Sequence, residues 1–247
     1  MEVLDYIIKE LLKRKVATKK ELAQIKRQAA KKFGVKFPTD PDILIRYFEL
    51  VKVKKIKKSK QLEELLAKRE IRGLSGVAVI TALTKPWPCP GKCIFCPNEV
   101  RMPKSYLARE PAAQRALRNK YDPYKQITSR IKVLQGCGHL TEKIDLIILG
   151  GTWSFYPKRY QTYFIKRLFD SANQKTARSL KEAQRINEKA KNRIIGITIE
   201  TRPDYINIDE IKQLRKLGVT RVEIGAQSVY DGVLILNQRD HTTKEVI

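Results

Sequence analysis

Four short apolar runs punctuate the chain after Leu74: VAVITAL (Val77 to Leu83), IDLIILG (Ile144 to Gly150), IIGITIE (Ile194 to Glu200) and RVEIGAQ (Arg221 to Gln227). Each is rich in β-branched residues and nearly continuous, the pattern of a strand covered on both faces. Between them, helical stretches are expected at Pro111 to about Tyr121, Tyr124 to about Gln135, Lys158 to about Ala172, Thr176 to about Asn192 and Asp209 to Leu217. Strand and helix in alternation imply a parallel sheet, because a parallel neighbour is reached through a right-handed crossover. Residues 73–247 are therefore expected to form an α/β fold, a parallel β/α barrel, open or closed. Four strands make only part of a barrel, and the last residues, HTTKEVI, read as the start of another helix. A partial barrel is expected, truncated or split.

Residues 1–72 read as a small basic all-α domain. The pairs Val3-Leu4, Ile7-Ile8 and Leu11-Leu12 recur at helical spacing. Thr18 and Glu21 make a capping box for a second helix, expected to run to about Lys32 with Gly34 as its stop. Asp40-Pro41 sets up a third through Ile43, Tyr47 and Phe48, with the aspartate as cap. Three short helices in a basic setting resemble a winged-helix-like module at the level of fold. The segment VKVKKIKKSK (Val51 to Lys60) alternates apolar residues with lysine and is expected at the surface, as an exposed edge or a flexible basic segment.

That segment holds the densest positive charge, Lys52, Lys54, Lys55, Lys57, Lys58 and Lys60, in a chain of net charge +25. A field of that size attracts polyanions, since each phosphate neutralised releases condensed counterions, so RNA or DNA is the expected partner class. A generally lysine-rich solvated surface is the plainer alternative. Membrane-surface binding would need a basic amphipathic helix free of the core. No stretch approaches the ~18 uninterrupted apolar residues of a spanning helix, and the N-terminus lacks a signal-peptide pattern. A soluble cytoplasmic protein without a membrane partner is expected.

Of four cysteines, Cys89, Cys93 and Cys96 fall in KPWPCPGKCIFCPNE, just after the first expected strand. The spacing suits a metal better than a disulphide framework and implies a reducing compartment. Iron-sulphur clusters commonly take four cysteines, so a set of three leaves one iron an open coordination position. Cys-x3-Cys-x2-Cys with Phe95 before the last cysteine resembles the signature of radical S-adenosylmethionine enzymes. The alternative is a zinc knuckle completed by a histidine or by Cys137. Cys137, in QGCGH, reads rather as a helix-end filler.

In β/α barrels chemistry gathers at the C-terminal ends of the strands. The second expected strand ends in Gly150-Gly151-Thr152, where paired glycines let backbone groups approach a ligand. The third ends in Glu200-Thr201-Arg202-Pro203-Asp204 and the fourth in Gln227-Ser228. Glu200 is suited to accept hydrogen bonds from a ribose or an amino group. Arg202 is suited to pair bidentately with a carboxylate or phosphate, or to form a structural ion pair.

The blocks EPAAQRALRNKYDPYKQ, GHLTEKIDLIILGGTW, IGITIETRPDY and TRVEIGAQSVYDGVL together resemble the catalytic subunit of Elongator, over about Ile71 to the C-terminus. The resemblance implies a radical S-adenosylmethionine barrel and a transferase that makes 5-carboxymethyluridine at the tRNA wobble position from acetyl-CoA and S-adenosylmethionine. It implies a 4Fe-4S cluster held by Cys89, Cys93 and Cys96. S-adenosylmethionine is then placed against Gly150, Gly151, Thr152, Glu200, Arg202 and Gln227. Lys143 matches a lysine that contacts acetyl-CoA, and the basic N-terminal domain, with its lysines between 52 and 60, would grip the tRNA. No further residue is assigned to catalysis. In the implied reaction, hydrogen is abstracted from the acetyl methyl group, the radical adds to uridine C5, and coenzyme A leaves by hydrolysis. The loop CPGKC is shorter than the family's, Asn98-Glu99 stands where a glycine pair is usual, and NQRDH (Asn237 to His241) stands in place of NRGH. The family continues to an acetyltransferase domain, so the chain is expected to be a fragment, a degenerate relative, or one half of a split enzyme whose partner chain supplies the rest. Another radical S-adenosylmethionine activity, or a basic RNA-binding protein with a structural metal site, is the alternative.

Overall fold

The computed structural model describes residues 2–66 and 75–247. The domain boundary expected between residues 72 and 73 lies outside the described residues. Two compact units emerge: one takes the described residues up to Val77 with Ile131–Thr141, the other Ala78–Arg130 with Glu142–Ile247.

The first unit is built from α1 (Glu2–Arg14), α2 (Lys19–Phe33), α3 (Asp40–Lys52) and α4 (Lys60–Leu66). The Thr18–Glu21 capping box and the Gly34 C-cap bound α2 as expected. The cap of α3, however, is Thr39, whose side chain accepts from Asp42 N. Asp40 is turned instead to Lys26, 2.6 Å away and itself 92% shielded, so the aspartate neutralises a buried cation rather than capping a helix. Ile7, Ile8, Leu11, Ile25, Ala29, Ile43, Leu44 and Tyr47 fill the centre of the bundle. Each such aliphatic side chain contributes roughly 1.5–3 kcal/mol relative to exposure. Cys137 packs against this core.

Val51 to Lys60 is neither a sheet edge nor a loose tail. Val51 and Lys52 close α3, Lys60 opens α4, and the buried Tyr47 hydroxyl accepts the Ser59 backbone N–H at 2.6 Å. That bond fastens the turn while leaving Lys52, Lys54, Lys55, Lys57, Lys58 and Lys60 exposed.

The second unit carries a four-stranded sheet in the order β1 (Val77–Leu83), β2 (Lys143–Leu149), β3 (Arg193–Thr201), β4 (Arg221–Ile224). β2 pairs parallel with β3, and β3 with β4. The connections hold α5 (Pro111–Arg118), α6 (Pro123–Gly136), α7 (Lys158–Asn173), α8 (Leu180–Asn187) and α9 (Ile208–Leu217), and α10 (Asp231–Leu236) follows β4. Ile80, Ile144, Leu146, Ile148, Ile197 and Ile199 of the sheet are buried, as are Phe164, Ile165 and Leu168 of α7. The fold is the α/β, partial β/α-barrel class that the alternation implies.

Three details differ from expectation. β4 is shorter than Arg221 to Gln227 and half-open, with Ile224 43% exposed, because it is the last strand of the sheet and hydrogen-bonds on one side. α8 is shorter than Thr176 to Asn192. Ser179 caps its start, and the Asn187 side chain turns the chain into β3 by donating to Asn192 O and accepting from Ile194 N. α10 was not marked by any apolar periodicity, and the last residues form a 3-10 turn, Thr243–Glu245, rather than an α-helix. Among the described residues no helix is long and apolar enough to cross a membrane.

Candidate active site

Parallel strands bring their C-terminal ends to one side, and there a cavity of ≈ 370 Å³ opens. The loop after β1 supplies Cys89, Cys93 and Cys96; the turn after β2 supplies Gly150, Gly151 and Thr152; β3 supplies Glu200, with Arg202 just past its end; and Gln227 follows β4. These nine residues, picked from four separate stretches of sequence, line one cleft. All three cysteines are free thiols, and Cys93 is buried.

The three sulphurs differ in their neighbours. Cys89 Sγ faces the Thr152 hydroxyl at 3.7 Å, and Cys96 Sγ the Ser105 hydroxyl at 3.1 Å. Cys93 Sγ accepts an N–H from Arg239 at 3.3 Å. Among the described residues no three His, Cys, Asp or Glu side chains converge as they would around a single metal ion. In a four-iron cluster each cysteine holds a different iron, so three cysteines lining one cleft meet its donor requirement.

Gly150 explains the shape of the floor. It sits at φ +154, and a Cβ there would lie 2.0 Å from Thr84 Oγ1. Thr84 cannot easily retreat: its hydroxyl meets the Tyr156 hydroxyl at 2.8 Å, and its backbone N–H donates to Leu149 O at 2.9 Å. Burial pushes the Tyr156 phenol up to about 12, so it stays a neutral hydrogen-bonding group. No neighbour stands within 4 Å of where a Gly151 Cβ would project, which leaves that stretch of backbone open to a ligand.

Glu200 accepts the Tyr106 hydroxyl at 2.8 Å. Burial raises its carboxyl above the ordinary range, partly offset by that bond, and burial likewise raises the Tyr106 phenol. A carboxyl raised on folding makes the native state bind more protons than the unfolded chain. Stability then falls as pH rises from the unfolded carboxyl pKa through the folded one, and is level above it. Glu200→Gln should remove that contribution, so that the unfolding midpoint of the variant falls less, or rises more, than that of the wild type as pH increases from about 4 to neutrality. Urea melts across that range check it, and an unchanged pH slope in the variant would exonerate Glu200.

Arg202 is 5% exposed and already engaged: Nε and Nη2 fork onto Asp204 at 2.9 and 2.8 Å, and Nη2 also reaches Asp240 at 3.2 Å. Its bidentate face therefore serves a structural ion pair. Nη1 is left buried without a partner, and a Cβ at Gly91 would come within 2.1 Å of it. The guanidinium thus lies directly under the cysteine loop, and Lys104 Nζ donates to Gly91 O at 2.9 Å, fastening the same loop.

Lys143 is not in the cleft. It opens β2, exposed and in register with Arg193, so the length of the strand, about 20 Å at ~3.3 Å per residue, lies between it and Gly150. Tyr106, Ser105, Lys104, Glu223 and Arg239 line the cleft without having been singled out in the sequence. Arg239 had a signal, as part of NQRDH, and Glu223 lies within the run that forms β4; Lys104, Ser105 and Tyr106 stand in a loop whose residues follow no period.

Residues 89–247 match the Radical SAM superfamily. Over 99% of its length the chain is 42% identical to the Methanocaldococcus infernus protein named tRNA uridine(34) acetyltransferase, covering 46% of it. It is 36% identical, again over 99% of its length, to the Drosophila melanogaster Elongator complex protein 3, covering 45% of it. Among solved structures, the archaeal Methanocaldococcus infernus Elp3 with residues 1–46 deleted superposes with a TM-score of 0.57 at 40% identity, over 69% of this chain and 33% of that one. The chain spans about half the length of these two named relatives. The similarity also includes the helical unit, ahead of the start near Ile71 that the motifs indicated.

Proposed function

Because the chain belongs to the Radical SAM superfamily, we propose that it carries the S-adenosylmethionine-cleaving part of a tRNA-modifying enzyme of the Elongator catalytic-subunit type. The observation that carries this reading is the convergence of three free cysteines with glycine-floored and carboxylate-bearing strand ends on one cleft. Cys89, Cys93 and Cys96 would hold a 4Fe-4S cluster, with one iron left open for the amino and carboxylate groups of S-adenosylmethionine. When bound, the pair supplies one-electron cleavage of a carbon-sulphur bond.

The chain's own residues bind and orient. The backbone of the Gly150-Gly151 turn, open at Gly151, suits the methionine amino group, with Thr152 beside Cys89. Glu200, its carboxylate held by the Tyr106 hydroxyl, is positioned to accept hydrogen bonds from a ribose. Arg202, locked by two aspartates, orients the cysteine loop from below rather than swinging to a ligand. Gln227, exposed and with φ +69, is a further polar side chain for the nucleoside.

The substrate reading is a tRNA wobble uridine converted to 5-carboxymethyluridine with acetyl-CoA as the carbon source. Its support is the likeness to the named relatives, the net charge of +25, and the six exposed lysines between Lys52 and Lys60. Lys143 would meet acetyl-CoA away from the cleft, with a further polypeptide supplying the acetyltransferase domain. Cytoplasmic residence belongs to the same reading.

The test is anaerobic reconstitution with iron and sulphide, then dithionite and S-adenosylmethionine, reading 5'-deoxyadenosine with and without tRNA and acetyl-CoA. Production that rises with tRNA is expected. Production indifferent to tRNA would point to another substrate of the superfamily, and none from a fully loaded cluster would overturn the radical reading for this chain.

A further inference from the structure

Of the three cysteines, Cys93 alone is buried, and it alone receives an N–H from a cation. The donor, Arg239, reaches back from beyond α10 and is held from three directions. Nη1 donates to Cys93 Sγ at 3.3 Å, Nη2 donates to Gly225 O at 2.6 Å, and the guanidinium stands 5.9 Å from the Phe95 ring centroid. The adjacent backbone reinforces the tie, since Ile94 N donates to Asn237 O at 3.3 Å.

The two arginines near Cys93 are not equivalent. Arg202 shares its charge with Asp204 and Asp240. Arg239 has no ion pair among the described residues; its partners are a sulphur, a carbonyl and a ring. Its positive charge is therefore not tied to a carboxylate by an ion pair among the described residues, and its Nε is buried without a partner.

We propose that Arg239 is a redox-positioning residue, which holds the Cys93 sulphur by hydrogen bond and charge and so eases one-electron reduction of the cluster bound there. This rests on the cluster reading given above. In the couple, a low-potential one-electron donor is oxidised and the cluster gains one electron; no bond is made or broken and no proton moves. Reduction places more negative charge on the sulphurs, so a cationic N–H donor stabilises the reduced form more than the oxidised one. Partial exclusion of water from the cleft strengthens the effect.

The test compares midpoint potentials of reconstituted wild type, Arg239→Gln and Arg239→Lys by EPR-monitored titration, with iron and sulphide content measured in each. Arg239→Gln should be harder to reduce by about tenfold, a negative shift of about 59 mV for one electron. Arg239→Lys, which keeps the charge but not the fork, should recover part of it. A purely structural role would alter cluster content and leave the potential of the loaded fraction alone. A fully loaded Arg239→Gln with the wild-type potential overturns the proposal and leaves the cluster reading standing. If neither variant loads, wild type labelled with 15N-arginine decides: a nitrogen coupling to the reduced cluster is expected, and its absence overturns the proposal. Wild type that binds no cluster would instead remove the reading beneath it.

Discussion

Cys93→Ala, reconstituted beside the wild-type protein, should bind no stable four-iron cluster, with bound iron falling at least about tenfold. Cys89, Cys93 and Cys96 are the cysteines that line the cleft, and the groups described beside Cys93, the Arg239 and Arg202 guanidiniums, are donors that cannot replace a lost thiolate. Loss of a buried sulphur also frees the Arg239 N–H that it satisfied, adding about 1–3 kcal/mol of local destabilisation. RNA affinity should survive, since phosphate contacts are spread over many lysines, six of them exposed on the separate helical unit. Cys137→Ala provides the comparison: its side chain packs against the helical core, and the variant should keep its iron. Iron and acid-labile sulphide analysis decides the matter, and a Cys93→Ala protein carrying a full cluster would remove the ligand assignment.

Gly150→Ala should be the most destabilising single-methyl change in the second unit. The backbone at φ +154 is one that side-chain-bearing residues rarely adopt, a strain of about 1–3 kcal/mol. The new methyl would also stand 2.0 Å from Thr84 Oγ1, and moving that hydroxyl breaks its bond to Tyr156. With overpacking of about 1–3 kcal/mol added, a loss of roughly 3 kcal/mol or more is expected. Urea unfolding should show a lower midpoint with an unchanged slope. Adding Thr84→Ala should restore only the steric share. A single variant as stable as wild type would mean that the turn after β2 is not built as described.

The structure separates what a local pattern can carry from what it cannot. Hydrophobic runs marked all four strands, and the Thr18–Glu21 box marked the start of α2, because both depend on residues within one turn or one strand. The burial of β4 was misread for the opposite reason: whether an apolar run is covered depends on what lies beside it, and β4 is an edge. Asp40 looked like a cap until Lys26, fourteen residues earlier in sequence, claimed it.

The cysteine triplet and the strand-end residues were determined by the sequence alone. Three ligand-type side chains lie within eight consecutive positions, and parallel topology obliges the ends of β1, β2, β3 and β4 to share one side. The tertiary structure decided the partners of those residues: Tyr106 on Glu200 across 94 residues, Arg239 on Cys93 across 146, and Asp240, far along the chain, joining the neighbouring Asp204 on Arg202. It also decided that Lys143 stands at the far end of its strand. Contacts between positions so distant leave no period in the chain, since they exist only once burial and strand pairing have brought the loops together.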